Sequence, residues 1–259
     1  MRFEFPELPQ TYYSKARHLN VPAMLTAQLP ENYAPTGKFP VFVFLEGGNG
    51  GPGDSNRPRE IVGPRDFITV SMPLFRDPTG APPPLAMRFI PRAAAMVNSN
   101  DAPALASSYE VMLQKLFDTV PNISVERSAF GGFSNGAHAT GALLAAKDQF
   151  IIDHFRSYCL FEGGVALALN PTALEQPGLK GSRFIALFGD HDSAPGMRVE
   201  RELITEPLLA TMTSEATKLH LDFTRITMRG YGHETPPAYQ KLLGCWLRGE
   251  KLPDVPAKP

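Results

Sequence analysis

A serine flanked by glycines is the residue with the clearest capacity for covalent chemistry in this chain. Ser134 is the middle residue of Gly-Phe-Ser-Asn-Gly at positions 132–136, between a strand-forming run and a run of small helix-forming residues. A serine on so sharp a strand-to-helix turn projects its hydroxyl, and the two glycines prevent collisions with the strand and the helix. The pattern predicts a nucleophilic Ser134, with a chance match in a glycine-rich turn as the alternative.

A serine hydroxyl is a weak nucleophile at neutral pH and needs a base nearby. Among six histidines, His233 stands in Gly-Tyr-Gly-His-Glu at 230–234. That loop follows the last predicted strand and is expected at the same edge of the sheet as Ser134. His138 is closer in sequence, but it lies one helical turn past the serine and is predicted to be a packed helix residue. We therefore predict that His233 is the base.

The base in turn needs a carboxylate, which fixes its tautomer and stabilises the imidazolium. The run Gly-Asp-His-Asp at 189–192 follows another predicted strand, so Asp190 and Asp192 are both expected at the right edge of the sheet. We favour Asp192 because it lies further round the turn and can face the His233 loop. Asp190 and Glu162, which follows the preceding strand, are the alternatives.

The negative charge that develops during acyl transfer needs N–H donors. A glycine-rich loop, Glu-Gly-Gly-Asn-Gly-Gly at 46–51, follows an apolar run. The predicted donors are the backbone N–H of Asn135, directly after the nucleophile, and those of Gly48 and Asn49. A phosphate-binding loop is the alternative, but the Gly-Lys-Ser/Thr ending of a P-loop and the spacing of G-x-G-x-x-G are missing.

These residues have to be positioned by a sheet. Short β-forming runs alternate with helical patterns, which predicts a mostly parallel sheet with helices on both faces and right-handed crossovers. Ligands bind beyond the carboxyl ends of the strands in such sheets, and Ser134, Asp192 and His233 each follow a predicted strand. The predicted strands lie near 18–29, 41–45, 66–71, 127–133, 158–161, 184–188 and 223–228, and the predicted helices at 102–119, 135–147, 197–219 and 236–247.

The bulk composition suits one globular domain. The chain has 259 residues, of which 43% are hydrophobic and 20% charged, and a net charge of −1. We expect a single domain over 1–259, with its core at about 16–248 and a poorly ordered tail at 249–259. The charge gives no reason to expect nucleic acid or a membrane surface as a partner. No apolar run is long enough to span a membrane, and no signal peptide is visible.

Neither a disulfide framework nor a metal site is expected. Two cysteines are too few for a framework, and the apolar surroundings of Cys159 and Cys245 predict buried thiols. No established metal-binding motif occurs in the sequence. A weak cation site at Asp190, His191 and Asp192 is the alternative. The prediction is a protein without a metal or a cofactor.

The order Ser134, Asp192, His233 along the chain resembles that of the α/β-hydrolases. Segment 40–48 resembles the strand and oxyanion loop of the same fold. Segments 131–137, 189–192 and 231–233 resemble the nucleophile turn, acid turn and histidine loop of feruloyl esterases, polyhydroxybutyrate depolymerases and related carbohydrate esterases. The similarity extends over about residues 19–247.

This resemblance implies an α/β-hydrolase fold of about eight strands without a large lid domain. It also implies a serine esterase that works through an acyl-enzyme, without a cofactor, on a small-molecule or carbohydrate ester such as an acetyl or feruloyl ester. A secreted or periplasmic location would follow from the same resemblance, and a cytoplasmic one is the alternative.

One residue departs from the pattern of the family, because Glu46 stands where His usually precedes the two glycines. A carboxylate there would oppose a developing oxyanion unless it is paired with an arginine or turned away. Two rival functions stay open. One is another triad hydrolase (peptidase, lipase or acyltransferase), and the other, indicated only by Glu46, is a non-catalytic binding protein. The irregular segment 72–100 is expected either to wall an acyl pocket or to be an ordinary surface loop.

Overall fold

The computed structural model of the chain describes residues 1–85, 88, 90, 92–168, 174–191, 201–255 and 257–258. In this part of the chain, eight strands form one sheet. They are β1 (Arg2–Phe5), β2 (Ala23–Gln28), β3 (Val41–Leu45), β4 (Ile68–Ser71), β5 (Ala129–Phe133), β6 (Ser157–Phe161), β7 (Arg183–Gly189) and β8 (Asp222–Met228).

The strand order across the sheet is β1-β2-β4-β3-β5-β6-β7-β8. Strand β2 runs antiparallel to β1 and β4, whereas β4, β3 and β5 to β8 are parallel to one another. The prediction of a mostly parallel sheet of about eight strands is confirmed. Because parallel strands end at the same edge, the residues that follow β3, β5, β6, β7 and β8 come together there.

Helices cover the two faces of this sheet. The described α-helices are α1 (Tyr12–Arg17), α2 (Arg57–Val62), α3 (Ala102–Thr119), α4 (Asn135–Ala145), α5 (Gln149–His154), α6 (Val165–Ala168), α7 (Glu206–Lys218) and α8 (Pro237–Arg248). A π-helical turn at Arg201–Thr205 leads into α7. The predicted helix at 197–219 therefore appears as this turn and α7, and its first residues lie outside the described part of the chain.

The side chains of the strands alternate between two apolar layers. In β3, Val43 packs in the layer formed with α3, α4 and α7, whereas Phe42 and Phe44 pack in the layer formed with α2 and α8. All three are fully buried. A strand covered on both faces needs apolar residues at every position, which explains the continuous apolar run at 41–45.

Helix α3 follows from its sequence pattern. Leu105, Tyr109, Met112 and Leu116 recur at intervals of three or four residues, and all four are fully buried. This spacing places them on one face of a helix, against the sheet. The helix occupies the predicted range, 102–119.

The insertion between β4 and α3 is tied to the start of α3. Asp101 is 2% exposed, and its Oδ1 accepts hydrogen bonds from Arg76 Nε at 2.9 Å and from the Asp77 N–H at 2.7 Å. Its Oδ2 accepts from the Asn98 N–H at 2.9 Å. The described ends of the insertion are thereby drawn together.

Two further predictions concern the membrane and the thiols. Among the described residues, no helix combines the length and the apolar character that a membrane crossing requires. Cys159 and Cys245 are both buried and free, as predicted.

Candidate active site

Ser134 occupies a sharp turn between β5 and α4, with φ 53° and ψ −116°. A positive φ is unfavourable for a residue that carries a Cβ, so the surrounding structure must impose it. The Ser134 N–H donates to the carbonyl of Phe161, at the end of β6, at 2.8 Å, and the His138 N–H donates to the Ser134 carbonyl at 2.9 Å. The turn has the strained geometry expected of a projecting nucleophile.

The glycines on either side of Ser134 allow a very close approach of α4 to β3. A Cβ at Gly136 would lie 2.1 Å from the Leu45 carbonyl oxygen, and one at Gly132 would lie 2.5 Å from the same atom. Both distances are far below a normal contact, and the obstacle is backbone. The spacing of the motif is therefore a steric requirement of this turn.

His233 reaches Ser134 from the loop after β8. Its Nε2 lies 2.8 Å from Ser134 Oγ, within hydrogen-bond distance. The ring packs against Phe133, with ring centroids 5.0 Å apart. The His233 loop is tied to β7, because the His191 N–H donates to the Tyr231 carbonyl at 2.9 Å. With the ring proton on Nδ1, Nε2 is placed to accept the serine proton.

Glu162 brings a carboxylate to the other nitrogen of the same ring. Its Oε2 lies 3.5 Å from His233 Nδ1, and its Oε1 accepts a hydrogen bond from the Gly189 N–H at 2.5 Å. Strands β5 and β6 pair with Phe133 opposite Phe161, so Ser134 and Glu162 leave the sheet side by side. Glu162 is 7% exposed and has a positive φ of 55°. Backbone strain at a buried charged residue is typical of functional sites.

Of the two aspartates after β7, the structure describes Asp190. Asp190 Oδ1 accepts a hydrogen bond from the Gly230 N–H at 2.6 Å, so this carboxylate anchors the His233 loop. Asp192, the predicted triad acid, lies outside the described residues. Among the described residues, the carboxylate paired with His233 is that of Glu162.

The glycine-rich loop 46–51 lies directly beside Ser134. A Cβ at Gly47 would lie 3.1 Å from Ser134 Cβ. Within the described part of the chain, the N–H groups of Gly48, Asn49 and Asn135 have no hydrogen-bond acceptor. Unbonded N–H groups beside a nucleophile are what an oxyanion requires.

The side chain of Asn135 joins this loop to the insertion. Its Nδ2 donates to the carbonyls of Gly48 and Ala95, both at 2.8 Å, and its Oδ1 accepts from the Val97 N–H at 3.1 Å. Asn135 is 7% exposed. The sequence pointed only to its backbone N–H, because nothing local indicates which distant carbonyls its amide meets.

Glu46 is both hydrogen-bonded and paired with an arginine. Its Oε1 accepts a hydrogen bond from Ser55 Oγ at 2.5 Å and lies 3.8 Å from Arg57 Nε. Both residues belong to the start of α2 or the segment before it. The carboxylate therefore has a hydroxyl donor and a positive neighbour, which offset its charge near an oxyanion.

His138 is buried beside the same site. It is 7% exposed, and its Nδ1 has no hydrogen-bond partner among the described residues. Burial lowers the pKa of His138 to about 3, and the nearby Arg92 guanidinium and His233 ring act in the same direction. His138 is therefore a neutral, packed helix residue at neutral pH.

An open cavity adjoins His233. Its apolar wall includes Ile90 and Met96 of the insertion and Leu167, which belongs to α6. Arg92 and Arg201 add guanidinium groups to the lining. The insertion therefore walls a pocket at this site, one of the two roles considered for it from the sequence.

No metal centre competes with this arrangement in the described part of the chain. There, no group of three or more His, Cys, Asp and Glu side chains is placed to hold a metal ion. The weak cation site considered at 190–192 includes Asp192, which is outside the described residues.

Comparison with solved structures identifies the fold. No protein-family model and no curated protein matches the sequence. A Bacillus cereus carboxylesterase matches with 14% identity and a TM-score of 0.54, over 93% of this chain and 99% of that one. A thermostable esterase from Pseudomonas putida matches with 16% identity and a TM-score of 0.52, over 96% and 82%. The chain has the α/β-hydrolase fold.

Other structures that match this chain are longer. The chain spans 59% of the length of another thermostable esterase. It spans 36% of a protein described as a dipeptidyl aminopeptidase IV from Bacteroides ovatus, which matches with 14% identity and a TM-score of 0.52 over 97% of this chain. Identities this low establish the fold and leave the reaction to the geometry of the site.

Proposed function

We propose that this protein is a serine carboxylic-ester hydrolase, with Ser134 as nucleophile and His233 as general base. The observation that carries the proposal is the 2.8 Å contact between Ser134 Oγ and His233 Nε2 at a strained strand-to-helix turn. The names of two structural neighbours, a carboxylesterase and an esterase, support an ester as the bond that is cleaved.

The proposed reaction has two halves. Ser134 Oγ attacks the ester carbonyl carbon while its proton passes to His233 Nε2, and the carbonyl oxygen becomes an oxyanion beside the N–H groups of Gly48, Asn49 and Asn135. Collapse of this intermediate breaks the bond to the alcohol, which takes the proton from His233. Water then attacks the acyl-enzyme, again giving a proton to His233, and the acid leaves as Ser134 regains its proton.

A carboxylate has to hold the Nδ1 side of His233 during both halves. Glu162 is the candidate that the described residues supply, because its Oε2 lies 3.5 Å from Nδ1 and the Gly189 N–H fixes its other oxygen. An acid in this position stabilises the imidazolium without taking up its proton. Asp192 stays a prediction from the sequence.

The cavity beside His233 is the proposed acyl site. Its apolar lining from the insertion and α6 suits the hydrocarbon part of an acyl group, and its open mouth leaves the alcohol free to be large. The proposed substrates are therefore esters of small acyl or aryl acids, with acetyl and feruloyl esters of carbohydrates as the first to be tried. The carbohydrate part of this proposal rests on the resemblance of segments 131–137 and 231–233 to carbohydrate esterases.

The test is replacement of the nucleophile. Ser134→Ala should lower kcat for p-nitrophenyl acetate by about 10³-fold or more and should abolish labelling by a fluorophosphonate, which reacts only with an activated serine. Ser107→Ala, on the exposed side of α3, is the matched control and should behave like the wild type. Undiminished hydrolysis by Ser134→Ala, or a wild type that neither hydrolyses esters nor labels, would refute the proposal. A panel with peptide amides separates an esterase from a peptidase.

A further inference from the structure

The oxyanion loop and the His233 loop are connected by a chain of hydrogen bonds that passes through the start of α2. At one end, Glu46 accepts the hydrogen bond from Ser55 Oγ, and the Arg57 N–H donates to the same Ser55 oxygen at 3.1 Å. At the other end, Arg57 Nη1 donates to Thr235 Oγ1 at 2.9 Å. Thr235 lies two residues after His233. One arginine thus contacts residues beside both halves of the site.

Each end of this chain is fixed to the fold. The Ser55 N–H donates to Ser71 Oγ, at the end of β4, at 3.1 Å. The Thr235 carbonyl accepts from Gln240 Nε2, in α8, at 2.6 Å. The segment that bears Ser55 and Arg57 therefore cannot move without pulling on β4 or on the loop that carries the base.

The contacts of Arg57 differ in how strongly they can hold its position. Arg57 Nε lies 3.8 Å from Glu46 Oε1 and 3.9 Å from Glu60 Oε2, and the Arg57 side chain is 31% exposed. Ion pairs at such distances and exposure contribute little by themselves. The two short hydrogen bonds, from Ser55 to Glu46 and from Arg57 to Thr235, are the contacts with the geometry to hold a position.

We propose that Glu46, Ser55, Arg57 and Thr235 form a positioning bridge, which holds the N–H groups of the oxyanion loop and the imidazole of His233 in register for the transition state. The inference rests on the proposed function and gives Glu46 a role there, as the acceptor that anchors the head of the oxyanion loop. None of the four residues touches the reacting atoms, so they act through Gly48, Asn49 and His233. Their loss should lower kcat more than it changes KM, because displaced donors and a displaced base weaken the transition state in particular.

The experiment removes the bridge at each end. Arg57→Met keeps an unbranched apolar stem but removes the guanidinium donor, and Thr235→Val keeps the shape of the side chain without the hydroxyl. Each should lower kcat for p-nitrophenyl acetate about tenfold, the size of one lost charge-assisted hydrogen bond, with KM within about twofold of the wild type. Thr235→Ser keeps the hydroxyl that Thr235→Val removes, so its kcat should recover to that of the wild type. Thr119→Val, at the end of α3, is the matched control and should leave kcat unchanged.

Two further variants test whether the residues act as one unit. The Arg57→Met/Thr235→Val double variant should be no slower than Arg57→Met, because both changes break the same hydrogen bond. Glu46→Gln keeps an acceptor for Ser55 and should lose less activity than Glu46→Ala. Affinity for a boronic acid that mimics the tetrahedral intermediate should fall in parallel with kcat/KM across the series.

The outcomes separate the bridge from the function on which it rests. Unchanged kcat in Arg57→Met and Thr235→Val, additive losses in the double variant, or no recovery in Thr235→Ser would overturn the bridge while Ser134→Ala remains inactive. If Ser134→Ala keeps full activity, the proposed function itself fails.

Discussion

The buried His138 should make the stability of this protein depend on pH in a specific way. In the unfolded chain its imidazole titrates with the ordinary histidine pKa of 6.5, whereas burial lowers the pKa to about 3 in the folded protein. Between these two values the unfolded state binds a proton that the folded state does not. Acid therefore favours unfolding, and the free energy of unfolding rises with pH across this window.

The size of the effect follows from the two pKa values. Between pH 7.5 and pH 5.0, this one histidine should lower the free energy of unfolding by about 2 kcal/mol, because the unfolded imidazole is mostly protonated at pH 5.0 and the buried one is still neutral. Below pH 3 the loss should level off at about 5 kcal/mol. Above pH 7 His138 should have almost no effect on the pH dependence.

Urea denaturation followed by the fluorescence of Trp246, the single tryptophan of the chain, measures this directly. His138→Gln is neutral in both states, so its free energy of unfolding should fall by about 2 kcal/mol less than that of the wild type between pH 7.5 and pH 5.0. His18→Asn, which replaces an exposed histidine, should follow the wild type. Parallel pH profiles for His138→Gln and the wild type would show that the buried imidazole does not resist protonation, and the reasoning would be wrong.

Three other predictions concern the site. Gly136→Ala would place a Cβ 2.1 Å from a backbone carbonyl oxygen of β3, so α4 must shift. The free energy of unfolding, measured by thermal unfolding, should fall by about 3 kcal/mol or more, and a wild-type Tm would contradict the steric account. Glu162→Gln should lower kcat about 10²-fold or more and Asp192→Asn should have a small effect if Glu162 holds the base; the reverse ranking would assign the acid to Asp192. Leu167→Trp, which narrows the cavity, should lower kcat/KM for butyryl esters more than for acetyl esters, and an equal effect on both would place the acyl group elsewhere.

Much of the fold could be predicted because its central strands are buried on both faces. The run 41–45 is entirely apolar, and its bounds in the structure are those expected from the sequence. The periodic apolar residues of 102–119 likewise predicted the bounds of α3. In both cases a local pattern and its tertiary environment favour the same structure.

Strand β1 is the opposite case. It has four residues at the edge of the sheet, and Arg2 and Glu4 are exposed. An edge strand that faces solvent needs no apolar run, so its sequence carries too weak a pattern for detection. Only its pairing with β2 makes it a strand.

The residues of the candidate site also differ in how far the sequence alone predicts them. The motifs around Ser134 and His233 are local, and the structure brings their side chains together. The position of Glu162 depends instead on the register between β5 and β6, which no local motif encodes. The partners of Glu46 depend on how residues 52–57 fold back over the end of β4. Long-range register and loop paths are the information that the sequence pattern lacks.

The proposed base, His233, lies on the loop that follows β8, the last strand at one end of the described sheet. Within the part of the chain that the structure describes, strand β8 pairs only with β7, and most of its residues are exposed or half-buried. An edge strand opens more readily than the centre of a protein. The proposed ester hydrolysis should therefore be lost when β8 detaches, before the main core unfolds. The rate of ester cleavage would then report on local unfolding of β8, and during refolding it should return only after β8 has paired with β7.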